Sequence, residues 1–529
     1  MAEKIYVYDT TLRDGSQGEG ISLSVEDKIK IAARLDHLGV DYIEGGWPWA
    51  NPKDLEFFQR ARELRWRQAR LVAFGRTRKP GGNARDDANL LAIKEAGAKA
   101  AAIFGKSWDL HVTAALETTL EENLAMIAES VAFLAAAGLE VIYDAEHFFD
   151  GFKANPDYAL ATLKAAASAG ASWVVLCDTN GGCLPEEVAA IVTRVRQDIQ
   201  VPLGIHAHND GDLAVANTLA AVAAGCRQVQ GTINGFGERC GNANLCSVLP
   251  NLELKKGYRC LPPGQLSLLT EVSRYVSEIA NVVPPGNQPF VGYSAFAHKG
   301  GIHVSAVLKA SQTYEHIPPR LVGNERRILM SDQAGASNLR CKAEEMGLAL
   351  SPEKEQVLID GIKEMERRGY QFEGADASLE LFLRKTTGEY RQPFEVEYVK
   401  TLVEKRPGQE ATSEAIVKLK VGDQVVHTAA EGNGPVNAMD NALRKALEEV
   451  FPAIGRMRLT DYKVRVLDEK DATSAGVRVL IESRDGTSSW NTVGVSTNII
   501  EASWEALLDS MEYALLKQSQ DLNKKAAAT

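Results

Sequence analysis

Only seven of the 529 residues are cysteine, scattered, odd in number and without a Cys-x-x-Cys pair. That argues against a disulfide framework and points to a reduced, cytoplasmic protein. No apolar run is long enough to span a bilayer. The opening residues, Met-Ala-Glu-Lys-Ile-Tyr, lead straight into a strand pattern and lack the apolar core of a signal peptide. An excess of positive charge is missing too. The net charge of −11 disfavours a general nucleic-acid binder or a membrane-surface protein. What remains is ordinary for a soluble globular protein: 45% hydrophobic and 24% charged residues. The length suggests three or four domains and is ample for a large barrel core.

From residue 4 to about 256, apolar strand-like runs alternate with amphipathic helical stretches. The strands read as Ile5–Asp9, Tyr42–Gly45, Arg70–Phe74, Ala100–Phe104, Glu140–Tyr143, Trp173–Cys177, Leu203–His208 and Gln228–Ile233. Val25–Leu38, Leu120–Ala137 and Glu186–Gln197 are among the helices between them. Eight such units in some 250 residues predict a (β/α)8 TIM barrel. An open doubly wound sheet uses the same alternation. The unit count, and the lack of a Gly-x-Gly-x-x-Gly turn after the first strand, favour the barrel.

Barrel chemistry sits at the C-terminal strand ends, and here those ends are crowded with polar residues. His206 and His208 stand at i and i+2 on a strand, so they point to one side. Asp14 offers an anionic oxygen after the first strand, and Asn242 an amide oxygen after the eighth. Strands one, seven and eight are neighbours in a closed barrel, so these four groups can converge on one metal ion. The mixed set suits Mn²⁺ or Zn²⁺ and tolerates Mg²⁺. Open positions on such an ion suit a 2-oxo acid, whose keto group the metal would polarise. Arg13 could then stabilise a developing alkoxide, Thr179 could bind a carboxylate, and Glu146 could act as acid or base. Plainer readings stay open from residue type alone. These are a turn residue for Asp14, a helix cap for Asn242, salt bridges for Arg13 and Glu146, and a loop turn for Thr179.

The pattern changes after the barrel. We expect a catalytic barrel over 1–280 and linker and lid subdomains over 281–375. Residues 376–518 read as a C-terminal α+β domain of two βββα units, and 519–529 as a disordered tail. The repeat rests on Gly422-Asp423 and Asp485-Gly486 hairpin turns, each followed by a strand and a helix.

Three stretches together, Asp9-Thr-Thr-Leu-Arg-Asp-Gly-Ser-Gln17, His206-Ala-His-Asn-Asp210 and Gly237-Glu-Arg-Cys-Gly-Asn-Ala243, resemble the DRE-type TIM-barrel metallolyase family. Its members include 2-isopropylmalate, homocitrate and citramalate synthases and hydroxymethylglutaryl-CoA lyase. The C-terminal repeat resembles the regulatory domain of the synthases. Asp14–Ser22, His298–Ala306 and Tyr314–Pro319 look most like the citramalate-forming branch. The resemblance implies condensation of acetyl-CoA, as cosubstrate, with pyruvate; 2-oxoisovalerate is the alternative substrate, and an amino-acid-sensing scaffold that kept the barrel is the non-enzyme alternative. It also implies metal ligands at Asp14, His206, His208 and Asn242, oxo-acid contacts at Arg13 and Thr179, and a catalytic Glu146. His303 and Tyr314 match a catalytic pair that the family often delivers from the partner subunit of a homodimer, and isoleucine is the implied effector. Cys240 departs from the alanine common there and reads as a small packing residue. The turn Arg76-Thr-Arg-Lys79 reads as an exposed loop, with the CoA phosphates as an alternative contact.

Overall fold

A computed structural model describes residues 2–467, 475–486 and 488–528, with backbone alone for 521 and 523–528. The chain divides into two compact units. The first is Met1–Phe296 with Glu315–Arg326, and the second is Ala297–Tyr314 with Arg327–Thr529.

The first unit is the expected barrel. Strands β1 (Tyr6–Asp9), β2 (Tyr42–Gly46), β3 (Arg70–Arg76), β4 (Ala100–Lys106), β5 (Glu140–Glu146), β6 (Trp173–Asp178), β7 (Leu203–Ala207) and β8 (Gln228–Gly231) close in chain order. Parallel pairing of Tyr6 to Gln228 and Asp9 to Gly231 seals the ring. The period-two alternation explains the two cores. Outward residues such as Val7, Ile43, Ala101, Val141 and Val229 pack under the helices. Inward residues such as Tyr8, Tyr42, Val72, Ile142 and Val175 fill the ring. Toward the C-terminal end the inward face becomes polar, with Glu44, Asp144, His206 and Gln230 all buried.

Residues 281–296 and 315–326, expected within the linker, belong to this unit. Phe290, Val291, Phe296, Ile317 and Val322 are buried in the barrel's core. The prolines and glycines that argue against another barrel unit permit an irregular wrap, but apolar side chains of this size still need burial.

In the second unit, β9 (Ala297–His298) pairs with β10 (Arg327–Ile328). The helices Ala336–Glu345, Pro352–Arg367 and Asp376–Thr387 bury Leu339, Leu358, Ile362, Leu379 and Leu383 together. Two antiparallel three-stranded sheets follow. One is β11 (Glu395–Glu404), β12 (Thr412–Val421) and β13 (Gln424–Gly432); the other is β14 (Arg458–Val466), β15 (Val477–Arg484) and β16 (Ser489–Ser496). Each is followed by a helix, Pro435–Leu447 or Ile499–Ala528, and the two halves share one core. The repeat extends to irregularities: both first strands shift register near their start, at Val396/Tyr398 and Leu459/Asp461. The segment expected as a disordered tail continues the last helix to Ala528, in keeping with the helix propensity of its Lys and Ala residues. Thr529 lies outside the described residues. No helix among the described residues is long and apolar enough to cross a membrane.

Candidate active site

The turn after β1 buries Asp14 at the C-terminal rim. Its Oδ2 lies 3.4 Å from His206 Nε2 and 4.0 Å from His208 Nε2. The two imidazole Nε2 atoms are 3.3 Å apart. All three side chains are buried and offer ligand atoms within 4.8 Å of one another. His206 Nδ1 donates to Gln230 Oε1 at 2.9 Å, so Nε2 is the nitrogen that faces Asp14 and His208. Gln230 is itself anchored, donating to Asp144 Oδ1 and Gln228 Oε1.

Asn242 reaches this cluster because its loop is glycine-built. Gly241 has a φ of +85° and packs so closely on the Gly235 carbonyl that a Cβ there would stand 1.9 Å from the oxygen. Asn242 Nδ2 donates to Asp14 Oδ1 at 3.1 Å, while its Oδ1 is buried and accepts no hydrogen bond. An orphaned buried acceptor on a side chain whose amide meets Asp14 fits a cation ligand better than a helix cap.

Electrostatics agree. Burial opposes ionisation of Asp14, but Arg13, His206 and His208 hold its carboxyl well below the usual range. Burial, then the charge of His206, pushes His208 down to about 4. Burial also acts to lower His206, but its hydrogen bond and charge interaction with Asp14 win and raise it.

Arg13 is held on three sides. Its Nε donates to Glu44 at 2.6 Å, its Nη1 lies 3.2 Å from Asp14, and its guanidinium sits 3.8 Å from the centre of the Phe74 ring. The salt-bridge reading of Arg13 is therefore part of the site's construction. Glu146 pairs with Lys106. Thr179 accepts a hydrogen bond from the backbone N–H of His147 at 2.9 Å. Arg13, Asp14, Glu146, Thr179, His206 and His208 line one cavity of about 270 Å³. His303 and Tyr314 lie in the second unit, their rings stacked at 4.2 Å.

Two expectations are corrected. Cys240 is exposed, because the tight Gly241 turn directs that part of the loop outward, so it fills no packing role. The turn at Arg76–Lys79 is not a free basic loop. Arg78 is buried between Glu122 and Glu129, and Arg76 pairs with Asp87.

A family model described as HMGL-like matches residues 4–276, a homocitrate synthase post-HMGL domain-like model matches 290–369, and the LeuA allosteric (dimerisation) domain matches 373–515. Along its length the chain is similar to the (R)-citramalate synthase of Aquifex aeolicus: 56% identical over 525 residues, covering 98% of this chain and 99% of that one. The chain belongs to the citramalate synthase branch of the HMGL-like family. The (R)-citramalate synthase of Geobacter sulfurreducens is 54% identical, covering 98% of each chain. A probable 2-isopropylmalate synthase of Methanopyrus kandleri is 34% identical over 96% of this chain and 98% of its own.

For this member of the citramalate synthase branch, sequence reasoning missed Glu44, Gln230 and Asp144. Burial, then the charge of Glu44, pushes the Asp144 carboxyl up to about 7. It also missed an aromatic wall, in which Phe74 stacks on Phe104 at 5.5 Å and Trp47 meets both edge-on. A signal existed. Gln228 and Gln230 alternate on a short buried strand, where uncharged polar side chains need a reason.

Proposed function

We propose that the protein condenses acetyl-CoA with pyruvate and hydrolyses the thioester, releasing (R)-citramalate and CoA. The similarity of the whole chain to proteins named (R)-citramalate synthase carries this reading, at 56% identity for the Aquifex aeolicus protein. A divalent cation (Mn²⁺, Mg²⁺ or Zn²⁺) bound by Asp14, His206, His208 and Asn242 would supply Lewis-acid polarisation of the keto group.

The chain's own residues do the rest. Thr179 binds the pyruvate carboxylate. Arg13, fixed by Glu44, lies where it can stabilise charge developing on the keto oxygen. A base takes a proton from the acetyl methyl group. The resulting carbon nucleophile bonds to C2 of pyruvate, and the former keto oxygen is protonated. Water then cleaves the C–S bond, leaving a carboxylate and the CoA thiol. We assign proton transfer to Glu146 with His303 and Tyr314, the last two on family resemblance alone and as groups contributed by the partner subunit of a homodimer.

Isoleucine is our proposed effector for 376–518. The segments Glu431–Val436 and Val493–Thr497 lie just before or around the starts of the two repeat helices, where backbone N–H groups suit an amino acid's carboxylate. Seven free cysteines fit a reducing, cytoplasmic setting. The test is thiol release from acetyl-CoA with pyruvate, 2-oxobutyrate, 2-oxoisovalerate and 2-oxoglutarate, with product identification. Pyruvate should give the highest kcat/KM; preference for 2-oxoisovalerate would replace this reading with isopropylmalate synthesis.

A further inference from the structure

His147 follows Glu146 at the end of β5 and carries a φ of +55°, a left-handed conformation that a residue with a side chain adopts at a cost. That backbone aims the His147 N–H at Thr179 Oγ1, 2.9 Å away, on the neighbouring β6 loop. The ring is tied down as well. Nδ1 lies 3.3 Å from Asp150 Oδ2, and the same oxygen accepts from Asn180 Nδ2 at 2.9 Å. One carboxylate thus joins the residue after Glu146 to the residue after Thr179. Asp150 is held below the usual carboxylate range, first by its hydrogen bond to His147, so it stays an acceptor for both.

The geometry points to His147 as a positioning residue for the oxo-acid carboxylate, acting through Thr179. A hydroxyl has one proton to give and two lone pairs to fill. The His147 N–H occupies a lone pair of Thr179 Oγ1 and so turns the hydroxyl proton toward the cavity. The group facing the ligand is then a donor, which suits a carboxylate. The His147–Asp150–Asn180 bridge keeps the two loops in the register that this requires, and the left-handed backbone of His147 is held in place by the same bridge.

This inference rests on the reaction proposed above, with Thr179 on the carboxylate. The experiment compares His147→Val, His147→Asn and Thr179→Val, singly and with the valine changes combined. KM is measured for pyruvate and for acetyl-CoA separately, and thermal unfolding checks the fold. Valine resists the left-handed backbone, whereas asparagine tolerates it and retains an amide donor for Asp150. His147→Val should raise the pyruvate KM about tenfold or more and move the acetyl-CoA KM less than twofold. His147→Asn should restore the pyruvate KM to within about threefold of the unaltered protein. In the Thr179→Val background, His147→Val should add little, since both act through one hydroxyl.

A folded His147→Val protein with unchanged pyruvate KM overturns the inference and leaves the proposed reaction standing. Full additivity of the two valine changes overturns it also. An unaltered protein that releases no thiol with any 2-oxo acid overturns the reaction and the inference together.

Discussion

His206 Nδ1 donates to Gln230 Oε1 at 2.9 Å, and Gln230 passes its own amide protons to Asp144 and Gln228. A buried relay of this kind fixes which imidazole nitrogen keeps its lone pair. Gln230→Leu should leave Asp14, His206 and His208 present but less well aimed. Metal affinity should fall roughly 10- to 100-fold, measured by competition with a chromophoric chelator. Activity should recover at high metal concentration. Undiminished affinity would show that the relay does not orient the ligand.

Metal binding should release protons from His206 at pH 6.5 and below. His206 is raised, with Asp14 outweighing burial, so metal must displace its proton; His208, pushed down to about 4, is already free. Affinity should therefore rise with pH until His206 is neutral, then level off. Calorimetry in buffers of different ionisation enthalpy counts the protons. Zero released at pH 6.5 contradicts this assignment.

Glu44 is fully buried and accepts hydrogen bonds from Tyr8, Thr10 and Arg13. Glu44→Gln keeps the shape but removes the charge that holds Arg13. A charge-assisted hydrogen bond is worth about 1.5–3 kcal/mol, so kcat should fall about 10- to 100-fold. With Arg13 in its proposed role, acting on charge that develops during reaction, the acetyl-CoA KM should change little. A rise in that KM with kcat unchanged would place Arg13 elsewhere in the mechanism.

The Asp9 carboxyl is pushed up to about 7, chiefly by burial, against the opposing hydrogen bonds from Thr11. In the unfolded chain it titrates near 3.9. Between those values the folded state holds a proton that the unfolded state has lost, so stability declines as pH rises through the window. The contribution is complete below about 3.9 and gone above about 7. Asp9→Asn should flatten the loss of stability between pH 5 and 8 by on the order of 1–3 kcal/mol. Urea midpoints across that range decide it, and an unchanged slope would mean another group carries the dependence.

Titration of the full chain with isoleucine, leucine and valine tests the C-terminal domain. Isoleucine should bind and slow thiol release. Tenfold inhibition at saturation requires only about 1.4 kcal/mol of coupling. Silence toward all three, with activity intact, would leave the repeat a structural module.

The barrel was legible because its signals are local and redundant. Strand bounds from the sequence lie within a few residues of those found, and His206 and His208 share a face as the i, i+2 spacing requires. The site's supports were not legible for the opposite reason. Glu44 and Gln230 matter through partners 31 and 24 positions away, and the one local mark, the alternation of Gln228 and Gln230 on a buried strand, does not name the partner. The wrap of 281–296 and 315–326 was missed because its prolines and glycines hide the regular spacing that would reveal a buried face. Cys240 was misjudged because its exposure depends on the turn geometry of Gly241.

The seam between β1 and β8 has a consequence for synthesis. Tyr6 to Asp9 emerge from the ribosome first, yet their partners Gln228 to Gly231 come more than 200 positions later. At about 5–20 residues per second, one edge of β1 stays open for roughly 10–45 s. Asp14 lies on one side of that seam, and His206, His208 and Asn242 lie on the other. A nascent chain therefore cannot bring Asp14 to His206, His208 and Asn242 before the ring closes, and a delay there leaves an unpaired strand available to other chains.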